Sequence, residues 1–255
     1  MAMKGVIGAS IGGALALSAW LCTALRPAQA AGVDAFEWLK SRADTNNATA
    51  CLYLGHAYLK RADRKMPTKR MPYWVRKTDR EYWGHSNAVT GREDFAGSLC
   101  EGVALYKRAV ELGNTQAMSS LGRAYASGQC LKKDCDTATR LFQRAADLGD
   151  ADGWNNLGVQ HATGCGITVD RAMAETLYRK AAELRSAAGM YNLAGCYRKR
   201  DENVEARRWL RMAADLGHGE AAYNFAFMCE RGLGGAVDAG LVFQYYTIAR
   251  ELGVE

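Results

Sequence analysis

Leu112-Gly113, Leu148-Gly149, Leu184-Arg185, Leu216-Gly217 and Leu252-Gly253 recur at intervals of 36, 36, 32 and 36 residues. Each dipeptide closes a stretch with the same grammar. Between Asn114 and Gly149 the chain carries Ala117, Leu121-Gly122, Tyr125 and Gly128. Asp134, Ala138, Leu141-Phe142, Ala145-Ala146 and Leu148-Gly149 follow. A fixed period of this length means stacked units, none of which can bury its apolar face alone.

Apolar residues in each unit fall at i, i+3/i+4 and i+7/i+8 twice, with a Gly-containing break between, so each unit is two helices and a turn. Ala117, Ala124, Ala138 and Ala145, then Ala174 and Ala181, then Ala206 and Ala213, sit where helices would approach closely. Leu141, Tyr178, Trp209 and Tyr245 are expected to fill the groove between helices. Asp134, Asp170 and Asp238 stand where second helices begin and their free N–H groups need an acceptor. Gly113, Gly149 and Gly217 stand where those helices stop.

The pattern resembles the Sel1-like repeat family, a relative of the tetratricopeptide repeats. The residues that carry the resemblance include Leu121-Gly122, Tyr125, Gly128, Asp134, Ala138, Ala145-Ala146 and Gly149, then Asn156-Leu157-Gly158, Gly164, Gly166, Asp170, Ala174, Tyr178 and Ala181-Ala182. Later copies show Asn192-Leu193, Tyr197, Ala206, Trp209, Ala213-Ala214 and Gly217, then Asn224-Phe225, Gly232, Asp238, Tyr245 and Ala249. A first copy starts at Ala50-Cys51-Leu52-Tyr53-Leu54-Gly55 and is completed by Ala104 to Ala109. Departures are local: Ala194 and Ala226 replace the Gly after Leu or Phe, and Arg185 replaces a terminal Gly. The resemblance implies an all-α, right-handed α-solenoid of five helix-turn-helix repeats over residues 47–253. Phe36, Trp38 and Leu39 mark an N-terminal capping helix at 31–46.

Lys4 precedes an uncharged run from Gly5 to Leu25, then Arg26-Pro27-Ala28-Gln29-Ala30. This layout predicts a secretory signal peptide over residues 1–30, cleaved after Ala30. The run is also long enough to span a bilayer, so a retained membrane anchor is the alternative.

No Cys-x-x-Cys pair occurs, and His56, His85, His161 and His218 are the only histidines. Neither a metal site nor a cofactor is expected. In an oxidising compartment Cys100, Cys130, Cys135, Cys165, Cys196 and Cys229 are the candidates for disulfides, with pairing open. The other reading is that several are free, buried small hydrophobes. Cysteine-rich members of the resembled family carry their cysteines at the equivalents of Val110, Ala146 and Ala182, so those bridges are not inherited here.

Lys60 to about Asp94 interrupts the first unit. Its stretch 60–80 holds nine basic and two acidic residues, a local charge of +7 in a chain whose net charge is +6. Lys69, Arg70, Arg76 and Lys77 lie here beside Tyr73 and Trp74, with Tyr82 and Trp83 further on. Long loops in compact hairpins are usually functional or disordered. A basic aromatic arm suits an acidic protein partner, while the competing reading is a lid folded on the first hairpin. No nucleic acid is expected, and a membrane only if residues 5–25 remain as an anchor.

Catalytic patterns are missing: Ser119-Ser120 lack a nucleophile-elbow context, and Gly232-Leu233-Gly234-Gly235 is a turn between helices. What recurs is a polar column before each Leu-Gly: Tyr53, Ser120, Asn156, Asn192 and Asn224. Asn156, Asn192 and Asn224 could grip an extended peptide on the concave side, or bond between helices to hold the stack. The expectation is therefore a non-catalytic protein–protein interaction scaffold, periplasmic or secreted. The alternatives are a membrane-anchored accessory subunit or assembly factor, including one on the mitochondrial inner membrane facing the intermembrane space, and a cell-wall-acting enzyme.

Overall fold

Helical hairpins follow one another through a computed structural model that describes residues 35–63 and 95–254. The leader lies outside the described residues, as does the basic segment with Lys69, Arg70, Tyr73, Trp74, Arg76 and Lys77. Eleven helices and no strand occur among the described residues: α1 Ala35–Asp44, α2 Ala48–Asp63, α3 Phe95–Glu111, α4 Thr115–Ser127, α5 Cys135–Asp147, α6 Ala151–Thr163, α7 Arg171–Glu183, α8 Ala187–Arg198, α9 Asn203–Asp215, α10 Gly219–Glu230 and α11 Ala239–Glu251. The pairs α2/α3, α4/α5, α6/α7, α8/α9 and α10/α11 are the five units, and α1 packs on α2 at one end.

Local chemistry sets the helix ends. Asp134, Asp170 and Asp238 each accept a backbone N–H at the start of a second helix. Asn114, Asp150, Ser186 and His218 do the same for first helices. Second helices end in a left-handed residue, Gly149 at φ 87° and Gly217 at φ 84°. Arg185 adopts φ 65° at the equivalent place, which costs a non-glycine residue roughly 1 kcal/mol.

Tertiary packing moves the groove-filling register by one residue in two units. The side chains that fill the helix–helix groove are Phe142 and Leu210, each 1% exposed. Leu141 and Trp209, expected there, are only half-buried, whereas Tyr178 and Tyr245 are buried as expected. For Phe142 and Tyr178 the reason is the facing glycine. A Cβ built on Gly122 would lie 2.5 Å from the Phe142 ring, and one on Gly158 would lie 2.6 Å from the Tyr178 ring. Gly55 meets Tyr106 in the same way. An aromatic therefore seats directly on the backbone of its partner helix in each of the first three units.

Successive units also touch closely. A Cβ on Gly153 would come within 2.6 Å of the Ala146 backbone nitrogen, and one on Gly189 within 2.6 Å of the Ala181 Cβ. First helices of neighbouring units meet, α4 with α6 and α6 with α8. Second helices of neighbouring units make far less contact, so the stack bends toward the first helices, which line its inner face.

Candidate interaction surface

Polar side chains on the inner face mostly serve the stack itself. Ser119 Oγ donates to Asp150 Oδ2 at 2.6 Å, and Ser186 Oγ donates to Asp152 Oδ1 at 2.7 Å. Asn192 Nδ2 donates to Asn155 Oδ1 at 2.8 Å, and Asn224 Nδ2 donates to the Tyr191 hydroxyl at 3.3 Å. Each of these bonds joins one unit to the next. The Asn192 and Asn224 amides are thus engaged across unit boundaries, where buried polar groups must be satisfied. Asn156 is half-buried, while Tyr53 and Ser120, in the same column, are buried.

Three residues further along the first helices lies a second column: Arg123, Val159, Gly195 and Phe227. Arg123 is exposed, and Val159 and Phe227 are each 37% exposed. A Cβ built on Gly195 would meet nothing within 4 Å. Tyr223 (38% exposed) stands one turn before Phe227, and the Arg231 guanidinium lies 5.5 Å from the Phe227 ring centre. This column repeats at the period of the units, yet the eye passes over it because its residues are chemically unlike one another. Its signal was helical spacing alone, one turn beyond the asparagines.

The titratable groups of this face show no activated nucleophile. Ser186 is 5% exposed, bonds to Asp152 rather than to a histidine, and accepts the Gly189 N–H. Ser186 and His218 therefore cap helices, and Asp152 only accepts the Ser186 hydroxyl rather than priming it. Burial pushes the Asp150 carboxyl above its ordinary value against the Ser119 hydrogen bond, which lowers it. No group of three His, Cys, Asp or Glu able to hold a metal ion occurs among the described residues.

His218 Nδ1 accepts the Ala221 N–H at 3.2 Å, and its ring stacks on Tyr191 at 4.6 Å. Glu220 Oε2 lies 3.4 Å from the same nitrogen and favours the charged ring, but that carboxylate is largely exposed and screened. Burial outweighs it and lowers the imidazole pKa below 6.5. The unfolded chain then binds the proton more readily than the folded one. His218 contributes its stability above about pH 6.5 and loses it as pH falls below that value. We predict that acidification from pH 7.5 to 5.5, a range set around the free imidazole pKa, lowers the melting temperature. His218→Asn, which keeps a capping acceptor, should flatten that profile; an unchanged slope in the variant would sink this role.

Two disulfides are present, Cys100–Cys130 and Cys135–Cys165, with Cα separations of 5.2 and 5.3 Å. Each ties a second helix to the inter-helix loop of the following unit, Cys130 reaching back to Cys100 and Cys165 to Cys135. Cys51 and Cys229 are free and buried, and Cys196 is free and half-buried. Burial raises all three thiols, which keeps them protonated.

Comparison with protein families places Sel1 repeat matches at residues 115–150, 155–186, 187–218 and 219–254, more than half of the chain. Among solved structures, a Sel1 repeat protein from Oxalobacter formigenes is 24% identical with a TM-score of 0.60, covering 86% of this chain and 78% of that one. A protective antigen present in uropathogenic Escherichia coli strains, displaying an SLR fold, is 26% identical with a TM-score of 0.51 over 86% of this chain. The chain spans about half the length of that antigen, 49%. A comparison with curated proteins gives no match.

Proposed function

The chain belongs to the Sel1 repeat family, and we propose that it is an exported scaffold that binds another protein along the inner face of its stack. Sel1 repeat proteins are generally protein-interaction scaffolds and typically non-catalytic. The observation that carries the reading is the Arg123, Val159, Gly195, Phe227 column. These four positions face outward from helices whose neighbouring polar groups are already used by the stack. Exposed Val159, Tyr223 and Phe227 supply apolar contact, and the open space at Gly195 lets a partner's backbone come close. Asn156 can add a donor and an acceptor beside Val159. The basic aromatic segment with Lys69, Arg70, Tyr73, Trp74, Arg76 and Lys77 would add charge steering toward an acidic partner.

Gly195→Arg separates binding from folding. Arginine is a better helix former than glycine by ~1 kcal/mol, and its side chain would project into open space. The melting temperature should hold or rise, while affinity for the native partner, recovered by cross-linking in its own compartment, should fall by about tenfold or more. Phe227→Ala should act likewise through loss of an exposed aromatic anchor. Full affinity in both variants would remove the inner face from consideration.

Export is supported by two disulfides and by the leader-like start. No helix among the described residues is long and apolar enough to cross a membrane. N-terminal sequencing of the protein from its host should begin at Ala31. Recovery of the intact chain from carbonate-washed membranes would replace export with anchoring.

A further inference from the structure

The two ends of the stack are built differently. At the α1 end, Leu39 and Ala43 are buried against α2, and the outward residues Glu37, Lys40, Ser41 and Asp44 are exposed and polar. That is an ordinary solvent cap. At the α11 end the outward face is apolar. Phe243 is 76% and Val237 64% exposed, and with Val242 and Tyr246 they line a groove of about 470 Å³ rimmed by Glu230 and Arg250.

In the preceding three units, the equivalent face of the second helix is covered by the next first helix. The residues four, eight and twelve places after the cap are Ala138, Phe142 and Ala146, then Ala174, Tyr178 and Ala182, then Ala206, Leu210 and Ala214, all buried. In α11 the same places hold Val242, Tyr246 and Arg250. Val242 and Tyr246 are half-buried, and Arg250 is exposed. The small Ala146 lets α6 approach until a Cβ on Gly153 would clash with its backbone. Arg250 puts a long charged side chain at that place. The α11 face is thus too apolar for a solvent cap and carries a cation where the three preceding units carry alanine.

We infer that this end face pairs with the same face of a second copy about a two-fold axis. Such an interface must be self-complementary, each residue i meeting j while j meets i. A protruding ring, Phe243, stands beside a groove able to receive one. Glu230, whose Oε2 accepts the Tyr246 hydroxyl at 2.9 Å, and Arg250 both line the groove, so in the two-fold pair the Glu230 of each copy faces the Arg250 of the other. Among the described residues the α1 end presents Glu37, Lys40, Ser41 and Asp44 outward, a polar surface unlike the apolar α11 face. A face two helices wide and about 20 Å long is smaller than the standard ~800 Å² per partner, so the dimer is weak and concentration-dependent.

Sedimentation equilibrium on the full mature chain, from low micromolar to several hundred micromolar, should show a reversible monomer–dimer equilibrium. Phe243→Ala should weaken it by more than about tenfold, as removal of a central anchor does. Arg250→Glu and Glu230→Arg should each abolish it, because like charges then face one another. An equimolar mixture of those two variants should restore a dimer, since both pairs across the axis become opposite in charge. Circular dichroism of the variants should match the parent, as every altered residue is at the surface. A monomer at all concentrations, a dimer indifferent to Phe243→Ala, or a mixture that fails to recover would each overturn the two-fold pairing.

Discussion

Replacing Phe142 by Ala should cost the fold about 3–5 kcal/mol, read as a lower urea midpoint. Phe142 is 1% exposed and packs with Ala138, Ala146, Leu157 and Leu177, so its removal opens space on both sides of a unit boundary. Because a stack is held by nearest-neighbour terms, the transition should also broaden as the flanking units uncouple. Gly122 supplies the sharper test. In the parent chain Gly122→Ala forces a methyl to within 2.5 Å of the Phe142 ring and should destabilise. In the Phe142→Ala background the same methyl enters vacated space on a helix that prefers alanine by ~1 kcal/mol, and should be neutral or stabilising. Additive effects in the double variant would mean that the aromatic does not seat on that glycine.

Loss of the disulfides should be as severe. Each bridge closes a loop with a sequence separation of 30, for which chain entropy gives about 3–4 kcal/mol apiece. Reductant, or Cys130→Ser together with Cys165→Ser, should lower the melting temperature well beyond either single change. Peptide mapping without reductant should recover Cys100 joined to Cys130 and Cys135 joined to Cys165. An unchanged midpoint on full reduction would mean that the units hold their mutual position without these links.

The two bridges also show where reading the chain stops. Cys100, Cys130, Cys135 and Cys165 were visible as candidates because they cluster near the turns between first and second helices. Which thiols meet depends on how one unit is rotated on the next, and that rotation is written in no single unit. Cys196 and Cys229 share the same sequence neighbourhood, but the structure holds them on helices and leaves them free. The asparagine column illustrates the same boundary. Its periodicity was legible, but its engagement with Asn155 and Tyr191 was not, since both partners lie in the preceding unit.

Helix spans, caps and the two-helix unit follow from the sequence alone, because hydrogen bonds to Asp134, Asp170 and Asp238 and the apolar period act within a few residues. Only the tertiary structure decided that Phe142 and Leu210, not Leu141 and Trp209, fill the grooves. It also decided that Val159, Gly195 and Phe227 stay open, and that the α11 face remains apolar and uncovered among the described residues. Those outcomes turn on crossing angles between helices. Small residues such as Gly153 and Gly189 set the angles by permitting backbone contact, and a one-residue rotation exchanges a buried position for an exposed one.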